Sequence, residues 1–279
     1  MERIKQAVEK DKKLHPSGSS RPTQPHPSSQ YTAAPHTTET QHELEDISYK
    51  QTRVVKLQME HLGKHRIFAF SKNNAMSMNI DLLRTQVLQK MKENNWRTLA
   101  ITSPSPEAGK TVVAINLAMS IAQQTDKTAM LVDFDLRRPK VGAYLGLPME
   151  KSLNDLLDGT AELPDVLINP DMPRLVVLAT KIPVSKSSET LSSNKISGLI
   201  KELRERYESR IIIFDLPPVL VIDDALALLP QVDCVLMVVA SGMSSRREIE
   251  DSLRHIPTEK VVGVVLNKAE FQTSDSYYY

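Results

Sequence analysis

Short apolar runs alternate with longer amphipathic stretches along most of the chain, and this alternation predicts the architecture. The apolar runs, predicted as strands, are 98–102, 129–133, 175–178, 211–215, 233–240 and 261–266. The stretches with apolar residues three or four positions apart, predicted as helices, are 76–92, 109–124, 192–207 and 245–255. Strands that are apolar on both faces and separated by helices indicate an α/β fold with a mainly parallel β-sheet and helices on both faces.

The carboxyl ends of the predicted strands carry the first candidate site residues. In an open parallel sheet, ligands bind beyond these ends. We therefore expect one rim to bring together Thr102, Asp133, Asp215, Ala240 and Asn267.

The N-terminal part of the chain does not follow the alternation. Residues 16–42 are rich in Pro, Ser, Thr, Gln and His, with prolines at 16, 22, 25, 27 and 35. Such a segment cannot bury enough apolar surface to offset its ordering entropy, so we predict a disordered arm. Residues 43–75 are mixed and give no clear prediction.

Composition narrows the function classes. Lys and Arg together number 35 and Asp and Glu 34, so a net charge of +1 gives no case for nucleic-acid binding. Cys234 is the only cysteine and lies in an apolar run, which excludes an internal disulfide and predicts an inert buried thiol. No run approaches 18 apolar residues and the N-terminus lacks a signal-peptide core, which predicts a cytoplasmic protein that reaches a membrane only through a partner.

The triplet Gly109-Lys110-Thr111 lies between a predicted strand and a predicted helix, where a phosphate-binding loop belongs. Lys110 would reach the β- and γ-phosphates and the Thr111 hydroxyl would bind Mg²⁺. Pro104 replaces the first glycine of the G-x-x-x-x-G-K-[ST] motif. The alternative interpretation is an ordinary strand–helix turn with a solvated lysine.

Carboxylates end two of the buried strands. Asp133 and Asp135 follow one strand and Asp215 ends another. A hard cation such as Mg²⁺ takes oxygen ligands, so these acids are candidate metal ligands. Alternatively, they cap the turns that follow the strands.

The chain ends in Tyr277, Tyr278 and Tyr279, preceded by Ser274-Asp275-Ser276. An exposed polar tail with clustered tyrosines indicates phosphate acceptors. A partner-binding tail, or chance, remains the alternative.

Residues 102–111, 131–139 and 211–218 resemble the Walker A, Walker A′ and Walker B motifs of the bacterial tyrosine kinases, which are autokinases of capsule and exopolysaccharide synthesis. The Asp-x-Asp followed by Leu-Arg-Arg-Pro is especially specific, and the resemblance spans roughly 77–270. It implies a P-loop NTPase fold with a single catalytic domain. The implied division is an arm (1–50), an N-terminal extension with an assembly helix (51–95), the kinase domain (96–270) and a tyrosine tail (271–279).

The resemblance also implies the site residues and the cofactors ATP and Mg²⁺. The implied catalytic residues are Lys110, Asp133, Asp135 and Asp215, with Asp133 orienting or deprotonating the tyrosine hydroxyl. The implied metal ligands are Thr111, Asp135 and Asp215. The implied nucleotide-binding residues are Ser105, Pro106, Glu107, Ala108, Gly109, Lys110, Thr111, Val112 and Asn267, the last of which would contact adenine. The acceptors would be Tyr277, Tyr278 and Tyr279, phosphorylated by one subunit on its neighbour.

The implied partners are a membrane polysaccharide co-polymerase that activates the kinase, further copies of the chain, and a cognate tyrosine phosphatase. The location is then cytoplasmic and peripheral at the inner membrane. A phosphorylated tail would leave the site and weaken subunit contacts, because each phosphate adds about −1.5 to −2 charge.

The chain departs from the family pattern at three places, one of which is a tail with only three tyrosines. The family loop reads Pro-Gly-Glu-Gly-Lys, whereas Glu107 stands here at the first glycine and would be strained if that position requires a positive φ. In the family's Glu-x-x-Arg-x-x-Arg frame this chain has Met78, Asp81 and Arg84. These departures motivate one alternative, a binding module that has lost catalysis. The main alternative is a partition-type deviant-Walker ATPase switch, which shares the fold and the aspartates.

Overall fold

The strands form one mixed sheet in the order β1-β4-β5-β3-β6-β2-β7-β8 in a computed structural model that describes residues 52–71, 75–124, 126–206 and 209–269. Every pair is parallel except β4 with β5. The strands are β1 (Arg53–Val54), β2 (Thr98–Thr102), β3 (Thr128–Asp133), β4 (Leu167–Asn169), β5 (Leu175–Leu178), β6 (Arg210–Asp215), β7 (Cys234–Ala240) and β8 (Val261–Asn267). The predicted arm and tyrosine tail lie outside the described residues.

Helices pack on both faces of the sheet. They are α1 (Met59–Lys64), α2 (Ala75–Glu93), α3 (Lys110–Ala122), α4 (Val141–Leu145), α5 (Leu153–Asp158), α6 (Leu163–Val166), α7 (Ser187–Leu191), α8 (Asn194–Glu205), α9 (Asp224–Leu228) and α10 (Arg246–Arg254), with 3₁₀ turns at Leu229–Gln231 and Thr258–Lys260. No helix in the described ranges is both long and apolar enough to cross a bilayer.

The sheet has an apolar core on each of its two faces, as the predicted architecture requires. Successive residues of β2 alternate between them, with Leu99 and Ile101 in the core beneath α2 and α3 and Ala100 in the core beneath α8 and α10. Cys234 is fully buried, and loss of water around the thiol raises its pKa to about 12, so the predicted inert thiol is confirmed.

Every strand and helix predicted from periodicity is present, with ends shifted by at most two residues. The elements that the sequence did not predict are short. β1 and β4 span two and three residues, and the unpredicted helices span four to six, too few to show a period of 3.6.

The segment before α2 is held against α3, the helix that begins at Lys110, although the sequence of this segment gave no prediction. The Asn116 side chain of α3 accepts from the main-chain N–H groups of Phe68 (2.8 Å) and Ala69 (3.0 Å) and donates to the Arg66 carbonyl (3.1 Å). Leu62 and Ile67 are buried in the core beneath α3. Residues 52–71 are therefore part of the domain that carries the site.

Arg84, the arginine retained from the family's assembly frame, makes its contacts within the chain. Its Nη1 donates to Asp81 Oδ1 at 2.8 Å and to Ser120 Oγ at 3.0 Å. These bonds tie α2 to α3, and the arginine side chain is only 17% exposed. The role of α2 in assembly stays a prediction.

Candidate functional site

The carboxyl ends of five neighbouring strands form one rim, as the topology predicted. β3, β6, β2, β7 and β8 are consecutive in the sheet and parallel, so the five predicted positions lie along the same edge. Asp133 and Asp215 are register partners in adjacent strands. The Thr102 hydroxyl donates to the Pro217 carbonyl at 2.7 Å and joins the loops that follow β2 and β6.

Residues 104–109 form the phosphate loop, which ends at the first turn of α3. Gly109 has φ +90°, and a Cβ at this position would lie 2.2 Å from Asn267 Nδ2. Asn267 donates from that nitrogen to the Ala108 carbonyl at 2.9 Å. Both the backbone conformation and the close approach therefore require glycine at 109, and Asn267 lies against the loop from the end of β8.

Glu107 has φ +66°, a left-handed conformation that L-residues with a side chain adopt at a cost. The expected strain at the position where the family has glycine is therefore present. Glu107 is exposed, whereas its neighbour Ala108 is buried.

Lys110 lies between two carboxylates at the start of α3. Its Nζ is 2.8 Å from Asp135 Oδ2 and 3.3 Å from Asp215 Oδ1. The Thr111 hydroxyl donates to Asp215 Oδ2 at 2.6 Å. The alternative of a solvated lysine in an ordinary turn is wrong, because the Lys110 side chain is only 11% exposed.

Burial and mutual charge set the protonation of these groups. Burial opposes the charge of Lys110, but attraction to Asp215 and Asp135 outweighs it and raises the pKa of Lys110 to about 12. Loss of water also raises the pKa of Asp215, although Lys110 and Thr111 oppose that rise. Lys110 therefore stays positively charged, and any further positive charge in the site would stabilise the ionised form of the carboxylates.

Residues 133–141 form the acidic loop. Asp133 Oδ2 accepts from the main-chain N–H groups of Lys140 (3.1 Å) and Val141 (3.0 Å), and Oδ1 accepts from that of Asp135 (3.2 Å). Burial, followed by repulsion from Asp215, raises the pKa of Asp133 well above its usual value. A carboxylate has about four lone-pair positions, so these three bonds leave one on Oδ1.

The donor set fits Mg²⁺ and a nucleotide. Thr111 Oγ and the carboxylates of Asp135 and Asp215 are hard oxygen ligands gathered around Lys110. Within the described ranges, no group of three or more His, Cys, Asp or Glu side chains is arranged to hold a metal ion. In proteins, Mg²⁺ is typically held by one or two carboxylates together with substrate phosphates.

Sequence reasoning missed the residues outside the acidic loop that support it. The Thr180 hydroxyl donates to the Asp133 carbonyl at 2.7 Å, and Arg137 Nε donates to Ser187 Oγ at 2.8 Å. Asp224, fully buried at the start of α9, lies 3.6 Å from Arg137 Nε. Only the Arg-Arg pair after Asp135 gave a signal in the sequence.

The comparisons with known proteins agree with the geometry of this rim. A model of the AAA_31 family, an AAA domain, matches residues 96–260, more than half of the chain. The tyrosine-protein kinase CpsD of Streptococcus agalactiae is 30% identical over 190 residues, which cover 67% of this chain and 80% of CpsD. The kinase domain of the Escherichia coli tyrosine kinase ETK superposes with a TM-score of 0.69 at 25% identity, over 81% of this chain and 93% of that domain.

The fold and site thus define a P-loop NTPase of the AAA_31 family. Within that class, the chain belongs to the bacterial tyrosine-protein kinases. Its relatives differ in length. The tyrosine-protein kinase ptk of Acinetobacter johnsonii is 29% identical over 198 residues. This match covers 70% of the chain but only 26% of ptk.

Proposed function

We propose that the protein is an ATP- and Mg²⁺-dependent tyrosine autokinase that phosphorylates the cluster Tyr277–Tyr279 on a second copy of the chain. The observation that carries the proposal is the buried contact of Lys110 with Asp135 and with Asp215, which is the register partner of Asp133. Phosphoryl transfer depends mainly on charge neutralisation and positioning, and this cluster offers both.

Each residue has a distinct role in this proposal. Lys110 binds the β- and γ-phosphates, and Thr111, Asp135 and Asp215 hold Mg²⁺, which neutralises charge on the phosphates when bound. Asp133 accepts the tyrosine hydroxyl at its remaining Oδ1 lone pair and holds the proton, for which its raised pKa suits it.

Residues around the cluster hold the nucleotide. The phosphate-loop positions Ser105, Pro106, Glu107, Ala108 and Gly109 surround the phosphates with main-chain groups, and Val112 continues α3 behind them. Asn267, at the end of β8 beside the loop, is the proposed adenine contact.

The proposed setting is regulation of exopolysaccharide or capsule polymerisation and export. A membrane co-polymerase would activate the kinase and hold it at the inner face of the membrane, and a tyrosine phosphatase would reset the tail. One support is the family membership of the chain. The other is that its relatives differ in length, because the chain covers 80% of CpsD of Streptococcus agalactiae but only 26% of ptk of Acinetobacter johnsonii.

The second candidate is a partition-type ATPase switch, which shares the fold and the aspartates. That class carries an additional lysine early in the phosphate loop. Residues 104–108 are Pro-Ser-Pro-Glu-Ala and include no lysine. The loop therefore favours the kinase.

Phosphopeptide mapping after incubation with ATP and Mg²⁺ tests the proposal. We expect phosphate on Tyr277–Tyr279, lost in Lys110→Met and retained in the control Lys127→Met, which removes a lysine outside the site. The cytoplasmic segment of the co-polymerase is included in parallel reactions. ATP hydrolysis that proceeds without phosphotyrosine under both conditions would favour the switch, and the absence of both activities would favour a non-catalytic module.

A further inference from the structure

The Arg137 guanidinium is fixed at one end and available at the other. Its Nε donates to Ser187 Oγ at 2.8 Å and lies 3.6 Å from Asp224 Oδ2. Ser187 and Asp224 are both fully buried. Within the described ranges neither Nη1 nor Nη2 makes a hydrogen bond, and the arginine side chain is 45% exposed.

The buried carboxylate that anchors Arg137 is itself short of partners. Asp224 accepts the Ser188 hydroxyl at Oδ1, whereas its Oδ2 has no hydrogen bond within the described chain. A buried carboxylate without a full set of partners is costly unless a cation lies close. Arg137 is that cation, so the Asp224 carboxylate and the Arg137 guanidinium stabilise each other.

This anchored arginine lies beside the catalytic rim. Arg137 is two residues from Asp135, so their Cα atoms are at most about 7 Å apart. The next residue, Arg138, donates its main-chain N–H to Asp135 Oδ1 at 3.0 Å. Between β6 and Asp224, Leu220 and Val221 are 37% and 54% exposed, and Leu220 N donates to the Pro104 carbonyl of the phosphate loop at 3.4 Å.

An acidic, aromatic segment matches these features. A planar guanidinium with both Nη groups available binds a carboxylate or phosphate through two parallel hydrogen bonds. Exposed aliphatic side chains suit an adjacent aromatic ring. In the tail, Asp275 precedes Tyr277 by two residues, so a carboxylate lies close in sequence to the tyrosines.

We propose that Arg137 positions the acceptor segment of a second copy by binding an anionic group next to the reacting tyrosine, while Leu220 and Val221 contact the neighbouring tyrosine rings. The anion is either the Asp275 carboxylate or a phosphotyrosine already formed in the tail. This inference rests on the proposed function and assigns Arg137 as a positioning residue.

A trans-phosphorylation assay tests the assignment. The enzyme copy carries Phe at positions 277, 278 and 279, and the substrate copy carries Lys110→Met. For Arg137→Gln in the enzyme copy we expect KM for the substrate copy to rise about tenfold to a hundredfold, the range for a charge-assisted hydrogen bond, with little change in kcat or in KM for ATP. Arg138→Gln is the matched control and should change KM by no more than about twofold.

The variant Arg137→Lys distinguishes a loss of stability from a loss of the paired hydrogen bonds that the guanidinium makes to the acceptor segment. A lysine keeps a cation beside Asp224 but has no fork, so the melting temperature should return towards that of the wild type while KM stays high. Full rescue of KM by lysine would overturn the assignment.

Peptide binding identifies the anion and does not depend on turnover. Labelled peptides of residues 268–279, either unmodified, carrying Asp275→Asn or phosphorylated at Tyr279, are titrated with the full-length enzyme copy. If Asp275 is the ligand, Asp275→Asn removes the difference between wild type and Arg137→Gln, and if phosphotyrosine is the ligand, the phosphopeptide enlarges it. Equal affinity of the two proteins for all three peptides would overturn the proposal, whereas Arg137-dependent binding without phosphate transfer would count against the kinase function alone.

Discussion

The phosphate loop and the acidic loop lie side by side on one rim, but they are held in opposite ways. The acidic loop is fixed by hydrogen bonds to Asp133 from three main-chain N–H groups and by Thr180, which follows the neighbouring strand β5. The phosphate loop contains two positive-φ residues, Glu107 and Gly109, and its contact with β8 is the bond from Asn267 to Ala108.

From this difference we expect the two loops to have separate roles, one in phosphate transfer and the other in nucleotide binding. The acidic loop is positioned by the protein alone, so we expect it to keep its geometry with or without nucleotide. The phosphate loop carries strain of about 1 kcal/mol at Glu107, so under the proposed function we expect nucleotide affinity to be sensitive to changes in this loop. Variants of the acidic loop should therefore impair transfer, and variants of the phosphate loop should change nucleotide affinity.

The largest expected effect comes from Asp133→Asn. An asparagine nearly preserves the size of the side chain, and its Oδ1 can still accept from the Lys140 and Val141 N–H groups. It loses the bond from the Asp135 N–H and removes the proposed proton acceptor for the tyrosine hydroxyl. We expect the rate of phosphate transfer to fall by about 10² to 10⁴, the usual contribution of a general base, while the Kd for ATP changes by less than about twofold. Single-turnover transfer and fluorescent-nucleotide titration measure the two quantities.

Asp126→Asn, a change at an exposed aspartate whose side chain is 72% exposed, is the control and should leave both quantities unchanged. A loss of ATP affinity in Asp133→Asn as large as the loss of transfer would show that the two loops do not act separately.

The sequence predicted more of the acidic residues than of their supports. Asp133 and Asp215 could be predicted because each ends an apolar strand, and parallel strands bring such ends together. Thr180 and Asp224 could not, because they reach the site through tertiary contacts with residues distant in sequence. The strain at Glu107 could be anticipated from the missing glycine, whereas the close approach of Asn267 to Gly109 required the packed structure.

The next effect in size comes from Gly109→Ala. The new Cβ would lie 2.2 Å from Asn267 Nδ2 in a backbone with φ +90°, so both Asn267 and the loop must move. We expect a loss of about 2 to 4 kcal/mol in the free energy of unfolding, from strain together with a broken hydrogen bond, and a weaker Kd for ATP. Urea denaturation and nucleotide titration measure these changes.

The double variant Gly109→Ala/Asn267→Ala separates the two causes. It removes the close contact but keeps the strained φ, so it should recover part of the free energy of unfolding that the single variant loses. Stability is compared here and not the Kd for ATP, because Asn267 is also the proposed adenine contact. If the double variant is no better than the sum of the two single variants, the contact with Asn267 does not explain the requirement for glycine.

The smallest effect is a gain, expected from Glu107→Gly. Glycine adopts φ +66° without the side-chain penalty and removes a negative charge beside the phosphates, so we expect the Kd for ATP to tighten by about fivefold, the equivalent of about 1 kcal/mol. Glu107→Gln is the matched control, since it removes the charge and keeps the strain. Nucleotide titrations at low and high salt distinguish the two contributions, because only the charge effect is screened. If glutamine and glycine tighten binding equally, the left-handed conformation of Glu107 has no influence on nucleotide affinity, and the contrast between the two loops reduces to one of charge.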